Sequence, residues 1–142
     1  MTMPVVAEET VRLSPRRALS ARAAVGLARL LILLPPRRLR LMLTVLRRGA
    51  RPATAERALR ARQAVVSVSA RCAGQGCLQR SVAAALLTRL SGQWPDWCTG
   101  IRTAPFRAHA WLEVAGEPVG EPADTALFRA TMTVRHDAGT RR

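Results

Sequence analysis

Cys77 and His109 are the two residues whose types and settings could carry chemistry. Cys77 follows Gly74 and Gly76 and opens the stretch CLQRSVAAALLTRL, in which apolar residues recur at the spacing of a helix. The first turn of a helix has unpaired N–H groups and the positive end of the helix dipole, and both favour the thiolate, which is the reactive form of cysteine. The sequence therefore predicts a nucleophilic cysteine at a helix N-terminus.

His109 lies on a predicted strand. Residues 106–114 alternate with period two, which places His109 and Trp111 on the same face of that strand. A histidine beside a thiolate can hold it as an ion pair and then protonate a leaving amine, after which water releases the acyl-enzyme. Cys77 and His109 together therefore indicate acyl-transfer chemistry on a peptide or amide carbonyl. The other histidine, His136, falls in the predicted tail and is a poor candidate for the base.

The cysteines also allow two less specific interpretations. Cys77 could be a buried core thiol, because small free cysteines are often buried. Together with Cys72, Cys98 and His109 it could instead ligate zinc, but structural zinc sites use two close pairs of ligands, and this spacing does not provide them. We therefore interpret Cys72 and Cys98 as bystanders and expect no metal and no cofactor. Three cysteines also fit a reducing compartment better than a disulfide scaffold.

The charge of the chain is strongly basic and unevenly distributed. All 23 basic residues are arginines, against nine acidic residues, and residues 1–71 hold fifteen of the arginines and three of the acids. A nucleic-acid module would also need a recognisable motif and base-stacking aromatics beside the basic residues, and the sequence shows neither. We therefore expect no nucleic acid as a partner. A noncatalytic basic adaptor that binds nucleic acid or a membrane remains the alternative to an enzyme.

Two features bear on the cellular location. The N-terminal stretch MTMPVVAEET is acidic where an export signal would be basic. The longest apolar run, residues 23–34, is interrupted by Arg29 and is shorter than the roughly 20 residues that span a bilayer. We therefore expect a cytoplasmic protein with no transmembrane segment.

The first half of the chain is predicted to be helical. Ser14 is a suitable N-cap and Pro15 a suitable first residue for a helix that reaches residue 34. Thr54 is predicted to cap another helix, which runs towards Ser69. Between them, a short basic helix over residues 37–48 is amphipathic. Its predicted apolar side consists of Leu39, Met42, Leu43 and Leu46.

The second half changes to strands after the helix that begins at Cys77. Residues 92–100, GQWPDWCTG, are typical of a loop, and strands are predicted at 101–103, 106–114, 117–119 and 131–134. Helices followed by antiparallel strands predict an α+β fold with the helices packed on one side of a small sheet. We expect residues 1–53 to form a basic helical region of the same compact unit, 54–135 the core and 136–142 a disordered tail.

Two motifs carry a family resemblance. CLQRSVAAALLTRLSG and GIRTAPFRAHAWLEVAGEPV resemble the transglutaminase-like cysteine peptidases of lasso-peptide biosynthesis, which are related to the C-terminal domain of the microcin-processing protein. The resemblance covers about residues 54–134 and implies a transglutaminase/papain-like core. It implies Cys77 as the nucleophile and His109, 32 positions later, as the base. The family usually has an aspartate shortly after the hairpin. The matching position here is Glu121, which the resemblance implies as the third member of a Cys-His-acid catalytic triad, and Asp124 is the nearest aspartate and the alternative.

The resemblance also implies an activity and partners. The activity would be removal of the leader peptide from a ribosomally synthesised lasso-peptide precursor. The partners would be that precursor, a separate leader-binding recognition-element protein and an ATP-dependent lasso cyclase that uses the freed amine. A transglutaminase or amidase on the same triad is the alternative, because both share the acyl-enzyme. The basic N-terminal half is then a candidate docking surface for the leader-bound partner.

Five further residues have predicted roles near the reaction centre. The backbone N–H of Cys77 is the expected oxyanion donor, and Gln75 is a candidate for the second. Arg80 and Arg107 could contact an acidic stretch of the substrate, although a solvated surface arginine is the default. Phe106 and Trp111 are expected to be packing residues.

Overall fold

The computed structural model of the chain describes residues 10–136. The helices are α1 (Pro15–Leu31), α2 (Pro36–Leu46), α3 (Ala55–Val68), the short α4 (Ala70–Ala73) and α5 (Cys77–Leu90). The strands are β1 (Arg51–Pro52), β2 (Gln93–Trp94), β3 (Asp96–Arg102), β4 (Arg107–Val114), β5 (Glu117–Pro118) and β6 (Arg129–Val134), and a 3₁₀ turn at Ala123–Leu127 precedes β6. Helices therefore come first and most of the sheet follows.

The helix that begins at Cys77 lies at the centre of the fold. Every residue from Gln79 to Thr88 is buried, because α1 and α3 pack against α5 on one side and β4 on the other. A helix that is surrounded in this way needs apolar residues on most of its faces, and the run of residues 82–87 supplies them, whereas Gln79, Arg80, Ser81 and Thr88 are buried polar residues. The alanines at the buried positions of α1, among them Ala21, Ala24 and Ala28, let the two helices approach closely.

The sheet has four antiparallel strands in the order β5-β4-β3-β6. The β4–β5 hairpin turns at Ala115 and Gly116, both of which have positive φ. Strands β1 and β2 form a separate parallel pair of two residues each. The predicted α+β fold, with helices packed against a small antiparallel sheet, is therefore confirmed.

The helix starts agree with the predicted capping residues. Ser14 accepts a hydrogen bond from the N–H of Arg17 and Pro15 is the first residue of α1, while Thr54 accepts from the N–H of Arg57 at the start of α3. The end of α1 differs from the prediction, since the helix stops at Leu31 rather than residue 34. Pro36 then begins α2, because the first helical position is one that proline tolerates.

The loop predicted for residues 92–100 is wrong. This segment forms β2 and the first part of β3, and Trp94 and Trp97 are among the most buried side chains of the protein. The first three residues of β3, beginning at Asp96, are all buried, so the strand begins with no alternation of apolar and polar positions. A strand covered on both faces lacks the period-two signal on which the sequence-based assignment depended.

The apolar side of α2 is narrower than predicted. Leu39 and Leu43, one turn apart, are buried, whereas Met42 is 41% exposed. The helix contacts mainly β6, and one stripe of side chains is sufficient for that contact. The arginines at 37, 38 and 40 are exposed, which leaves this part of the basic region accessible.

Three predictions about the extent and ends of the fold can be compared with the described residues. Within 10–136 no helix is long and apolar enough to cross a membrane. Residues 137–142 of the predicted tail lie outside the described residues. His136, the first residue assigned to that tail, donates its backbone N–H to Asp96 at 2.8 Å. The predicted boundary between residues 53 and 54 stays a prediction, although α1 packs directly against α3 and α5.

Candidate active site

A tight turn places Cys77 at the first position of α5. The N–H of Gly76 donates to the carbonyl of Arg71 at 2.9 Å, and a Cβ at Gly76 would lie 2.7 Å from that oxygen. Glycine is therefore needed here for a close approach of two backbone segments. The guanidinium of Arg80 fixes the same turn, because its Nη1 donates to the carbonyls of Cys72 at 2.9 Å and Gly74 at 3.2 Å. Arg80 is 6% exposed, so the default of a solvated arginine is wrong.

The backbone donors around Cys77 differ from the predicted oxyanion hole. The N–H of Cys77 donates to the carbonyl of Gln75 at 2.9 Å, so the predicted donor is engaged within the turn. The first intrahelical bond of α5 joins the N–H of Arg80 to the carbonyl of Gly76. The N–H groups of Leu78 and Gln79, in the first turn, therefore have no acceptor inside the helix. They are the backbone donors that the first turn of α5 offers to a developing oxyanion.

His109 is held on several sides. Its Nε2 contacts Oε1 of Glu121, and its ring lies close enough to the Cys77 thiol to lower the pKa of that thiol. The indole of Trp111 stacks on the imidazole with ring centroids 5.9 Å apart, and the ring of Phe128 lies 5.4 Å away. Gly100 is the partner of His109 on β3, and a Cβ there would lie 2.8 Å from the Trp111 ring. The imidazole therefore has little freedom to turn.

Glu121 is the carboxylate that the fold brings to His109. Its side chain is 2% exposed, and its second oxygen, Oε2, accepts hydrogen bonds from Nε of Arg62 at 3.1 Å and Nη2 at 2.9 Å. Asp124 pairs with a different group, because its carboxylate lies 3.6 Å from Nη1 of Arg102 and its side chain is 47% exposed. The structure thus brings Cys77, His109 and Glu121 together and does not bring Asp124 to the imidazole.

The electrostatics of these three groups favour a thiolate and an imidazolium. Burial works to raise the pKa of the Cys77 thiol, but its hydrogen bonds with the His109 ring and the N–H of Ala110 lower the pKa below its usual value. Burial works to lower the pKa of His109, but Cys77 and Glu121 raise that pKa to about 9. Burial also opposes ionisation of Glu121, yet His109 and Arg62 together hold its pKa below the ordinary range.

The other two cysteines lie in environments that disfavour ionisation. Cys72 and Cys98 are fully buried, and burial raises the pKa of both, that of Cys98 to about 12. Neither thiol is joined in a disulfide. Among the residues that the structure describes, no group of three histidine, cysteine or acidic side chains is arranged to hold a metal ion. Cys77 is therefore the cysteine whose surroundings suit a nucleophile.

Two open hollows flank the cluster. One, of about 380 Å³, is lined by Cys77, Gln75 and Leu78 together with Ile32 from the end of α1. The other, of about 260 Å³, lies on the His109 side and is lined by Glu121 and Phe128 among others. The thiol and the imidazole each line an open surface of the protein.

A comparison with protein-family models identifies the family of this fold. The model of the transglutaminase-like superfamily matches residues 21–133, which is most of the chain. The chain belongs to the transglutaminase-like superfamily. Such domains are in general catalytic cysteine enzymes of peptidase or transglutaminase type. A search of curated proteins and a search of solved structures found no significant match.

Two residues that contact the active-site cluster of this transglutaminase-like domain, Arg62 and Phe128, were not predicted from the sequence. Arg62 follows Ala58 by four positions and precedes Val65 by three, so it lies in the buried stripe of α3. A charged residue in such a stripe is the signal that could have identified it. Phe128 carried no comparable signal, because it follows a 3₁₀ turn. Phe106, predicted to pack, is 69% exposed and that prediction is wrong, whereas Trp111 packs as expected.

Proposed function

We propose that this protein is a cysteine peptidase that removes the leader peptide from a ribosomally synthesised lasso-peptide precursor. The observation that carries the proposal is the line of contacts from Cys77 through His109 to Glu121. The motifs that contain Cys77 and His109 are those that resemble the lasso-peptide leader peptidases. Membership of the transglutaminase-like superfamily supports the coarser part of the proposal, an acyl-transfer enzyme that uses a cysteine.

The proposed mechanism assigns one role to each residue. The Cys77 thiolate attacks the carbonyl at the leader–core junction, and first-turn N–H groups of α5 stabilise the negative charge that develops on its oxygen. The His109 imidazolium donates its proton to the departing core amine. Glu121 keeps the imidazole oriented and stabilises its charged form. Water, deprotonated by the now neutral His109, then releases the leader from Cys77 and regenerates the ion pair.

The proposal includes the partners that the resemblance implies. A separate leader-binding recognition-element protein presents the precursor, and a lasso cyclase consumes the amine that the cleavage frees. The exposed arginines of α2, Arg37, Arg38 and Arg40, offer a basic surface to the leader-bound partner. Reversing their charge should weaken complex formation and slow cleavage, whereas Arg129→Glu on β6 serves as an exposed control. Unchanged binding and cleavage in the triple variant would contradict this docking surface.

The decisive assay combines precursor and leader-binding partner with wild-type protein, Cys77→Ala or Cys98→Ala. The Cys77→Ala variant should show no cleavage, because no other thiol has a lowered pKa among the described residues. The Cys98→Ala variant is the matched control and should cleave at close to the wild-type rate. Undiminished cleavage by Cys77→Ala would exclude the mechanism.

A transglutaminase or amidase is the second candidate, and membership of the transglutaminase-like superfamily is the observation that favours it. All of these reactions pass through an acyl-enzyme: a peptidase and an amidase transfer the acyl group to water, whereas a transglutaminase transfers it to an amine. Mass spectrometry of the products separates them. Hydrolysis of the precursor gives two fragments that together gain one water, whereas transfer gives a new amide bond with loss of ammonia or of the leaving amine.

A further inference from the structure

Arg62 lies behind Glu121 as seen from His109, and no step of the proposed mechanism uses it. Two of its three guanidinium nitrogens bind the same carboxylate oxygen: Nε lies 3.1 Å and Nη2 2.9 Å from Oε2 of Glu121. The other oxygen, Oε1, contacts Nε2 of His109. The side chains of Arg62 and Glu121 are 6% and 2% exposed, so this ion pair is buried.

Arg62 binds only one oxygen of the Glu121 carboxylate, which is unusual for an arginine. A guanidinium commonly binds both oxygens of a carboxylate at once through its fork of N–H groups. Here that arrangement would place Arg62 in competition with His109, whereas binding to Oε2 alone leaves Oε1 to the imidazole. We propose that Arg62 is a positioning residue that holds Glu121 ionised and oriented towards His109. The proposal rests on the proposed roles of Cys77, His109 and Glu121.

Gly120 supplies a second observation for this arrangement. It has φ of +66°, and a Cβ there would lie 3.0 Å from Cδ of Arg62, 3.3 Å from its Nε and 3.0 Å from Cδ1 of Leu59. The backbone immediately before Glu121 therefore passes directly over the Arg62 side chain. This close approach fixes the loop that carries the carboxylate relative to α3, which carries the guanidinium.

The charges around the imidazole set the expected sign of the effect. Arg62 acts on His109 in two opposed ways, because its charge repels the imidazolium while it holds the carboxylate that stabilises the imidazolium. Arg62 contacts Glu121 directly, and the carboxylate stands between Arg62 and the ring, so the second effect dominates. Within residues 10–136, the other charged groups that face this site are Cys77 and Arg80 from α5, Arg107 on β4, and Asp124, which is paired with Arg102.

The test measures how the alkylation of Cys77 by iodoacetamide depends on pH, because this probe needs no peptide substrate. Peptide mapping of the full-length protein gives the rate at Cys77 alone. At pH 6, Arg62→Met should slow alkylation about 10- to 100-fold. Arg62→Lys should recover part of the rate, since it restores the charge without the two donors. Arg60→Met is the matched control on the same helix, where Arg60 pairs with Glu56 at the surface, and should match wild type.

A second arm separates positioning from general stability. In a Glu121→Gln background, Arg62→Met should change the alkylation rate no further, because no carboxylate remains to be positioned. Thermal unfolding of each variant shows whether it is folded. If Arg62→Met does not fold, Arg62→Lys must slow alkylation at pH 6, and a wild-type profile in that variant overturns the proposal.

Three outcomes would overturn the role of Arg62. They are a wild-type profile in folded Arg62→Met, faster alkylation of that variant at acidic pH, and an equal loss in the presence and absence of the Glu121 carboxylate. An ordinary thiol profile for Cys77 in the wild-type protein is a different result. It would contradict the Cys77–His109 ion pair itself, and the role of Arg62 would fall with it.

Discussion

Two clusters in this protein contain the same four kinds of residue in different orders. Each has a cysteine, a histidine, a carboxylate and an arginine. The active-site cluster consists of Cys77, His109, Glu121 and Arg62. The second cluster consists of Cys98, His136, Asp96 and Arg135. In the first the imidazole lies between thiol and acid, whereas in the second the carboxylate of Asp96 contacts the histidine and the arginine, and the thiol contacts only the backbone carbonyl of Asp96.

The second cluster is centred on Asp96. Its Oδ1 accepts the backbone N–H of His136 at 2.8 Å and lies 3.4 Å from Nδ1 of the same residue, and its Oδ2 lies 3.3 Å from Nη1 of Arg135. The Cys98 thiol donates to the backbone carbonyl of Asp96 at 3.9 Å. Burial and the nearby carboxylate of Glu113 raise the pKa of Cys98 to about 12. This cluster therefore ties the end of β6 to β3 and keeps its cysteine as a thiol.

The comparison shows that the order of the groups decides the chemistry. A thiol next to an imidazole gains a cation that favours the thiolate, whereas a thiol next to carboxylates meets charges that oppose it. Trp111 connects the two clusters, because its ring stacks on His109 while its Nε1 donates to Glu113 at 2.8 Å. The same strand, β4, thus carries His109 of the active-site cluster and Glu113, whose carboxylate lies 3.7 Å from Nη1 of Arg135 in the second cluster.

The largest expected difference between the clusters is the reactivity of their cysteines. At pH 7, Cys77 should react with iodoacetamide at least about 10³-fold faster than Cys98, because the reactive species is the thiolate. Mass spectrometry of peptides that contain each cysteine measures both rates in one sample. Comparable rates for Cys77 and Cys98 in the folded protein would remove the distinction between the clusters.

Loss of the carboxylate should affect catalysis in the active-site cluster, at Glu121, but not in the second cluster, at Asp96. We expect Glu121→Gln to lower kcat/KM for precursor cleavage by roughly 10²- to 10⁴-fold, because the amide cannot stabilise the imidazolium. Asp96→Asn should leave kcat/KM nearly unchanged and instead lower the free energy of unfolding by about 1 kcal/mol through its weakened contacts. Steady-state kinetics and thermal unfolding of both variants provide the check. A large loss of kcat/KM in Asp96→Asn with little loss in Glu121→Gln would contradict the placement of catalysis in the active-site cluster.

The pH dependence of activity should follow the ionisation of the Cys77–His109 pair. Activity should rise as the Cys77 thiolate forms, at a pH below the usual thiol range because its pKa is lowered. It should then fall as the His109 imidazolium loses its proton near pH 9, the value to which its pKa is raised. Both limits belong to the coupled pair. A profile of kcat/KM whose acid limb lay at the pKa of an unperturbed thiol would contradict the ion pair.

The smallest expected effect concerns Asp124. Its carboxylate pairs with Arg102 rather than His109 and is nearly half exposed, so Asp124→Asn should change kcat/KM by less than about 2-fold. The matched comparison is Glu121→Gln, assayed with the same substrate. A loss in Asp124→Asn as large as that in Glu121→Gln would mean that the loop rearranges when substrate binds.

The sequence predicted those features of the site that have a local signal. The helix that starts at Cys77 follows from its apolar spacing, and the strand that carries His109 follows from its alternation. The catalytic role of Glu121 was predicted only from the family resemblance, because nothing in its own segment distinguishes it from Asp124. Its contact with His109 depends on how the loop after β5 folds back, which no local pattern records.

The missed features all depend on tertiary contacts. Arg62 reaches Glu121 across 59 positions of sequence. The start of β3 was assigned to a loop because burial on both faces hides the alternation of a strand. The N–H of Cys77 was assigned to the oxyanion hole, although the turn before α5 engages it with Gln75. Each error arises where a long-range or turn contact decides the outcome.

The central claim is that Cys77 forms a covalent acyl-enzyme, and trapping that intermediate tests it most directly. The protein would be mixed with precursor and leader-binding partner, quenched with acid within one turnover and mapped by mass spectrometry. We expect the leader to be attached to Cys77 as a thioester in the wild-type protein and in Cys98→Ala, and to be absent from Cys77→Ala. Full cleavage by Cys77→Ala, or an acyl group on a different residue, would contradict the account.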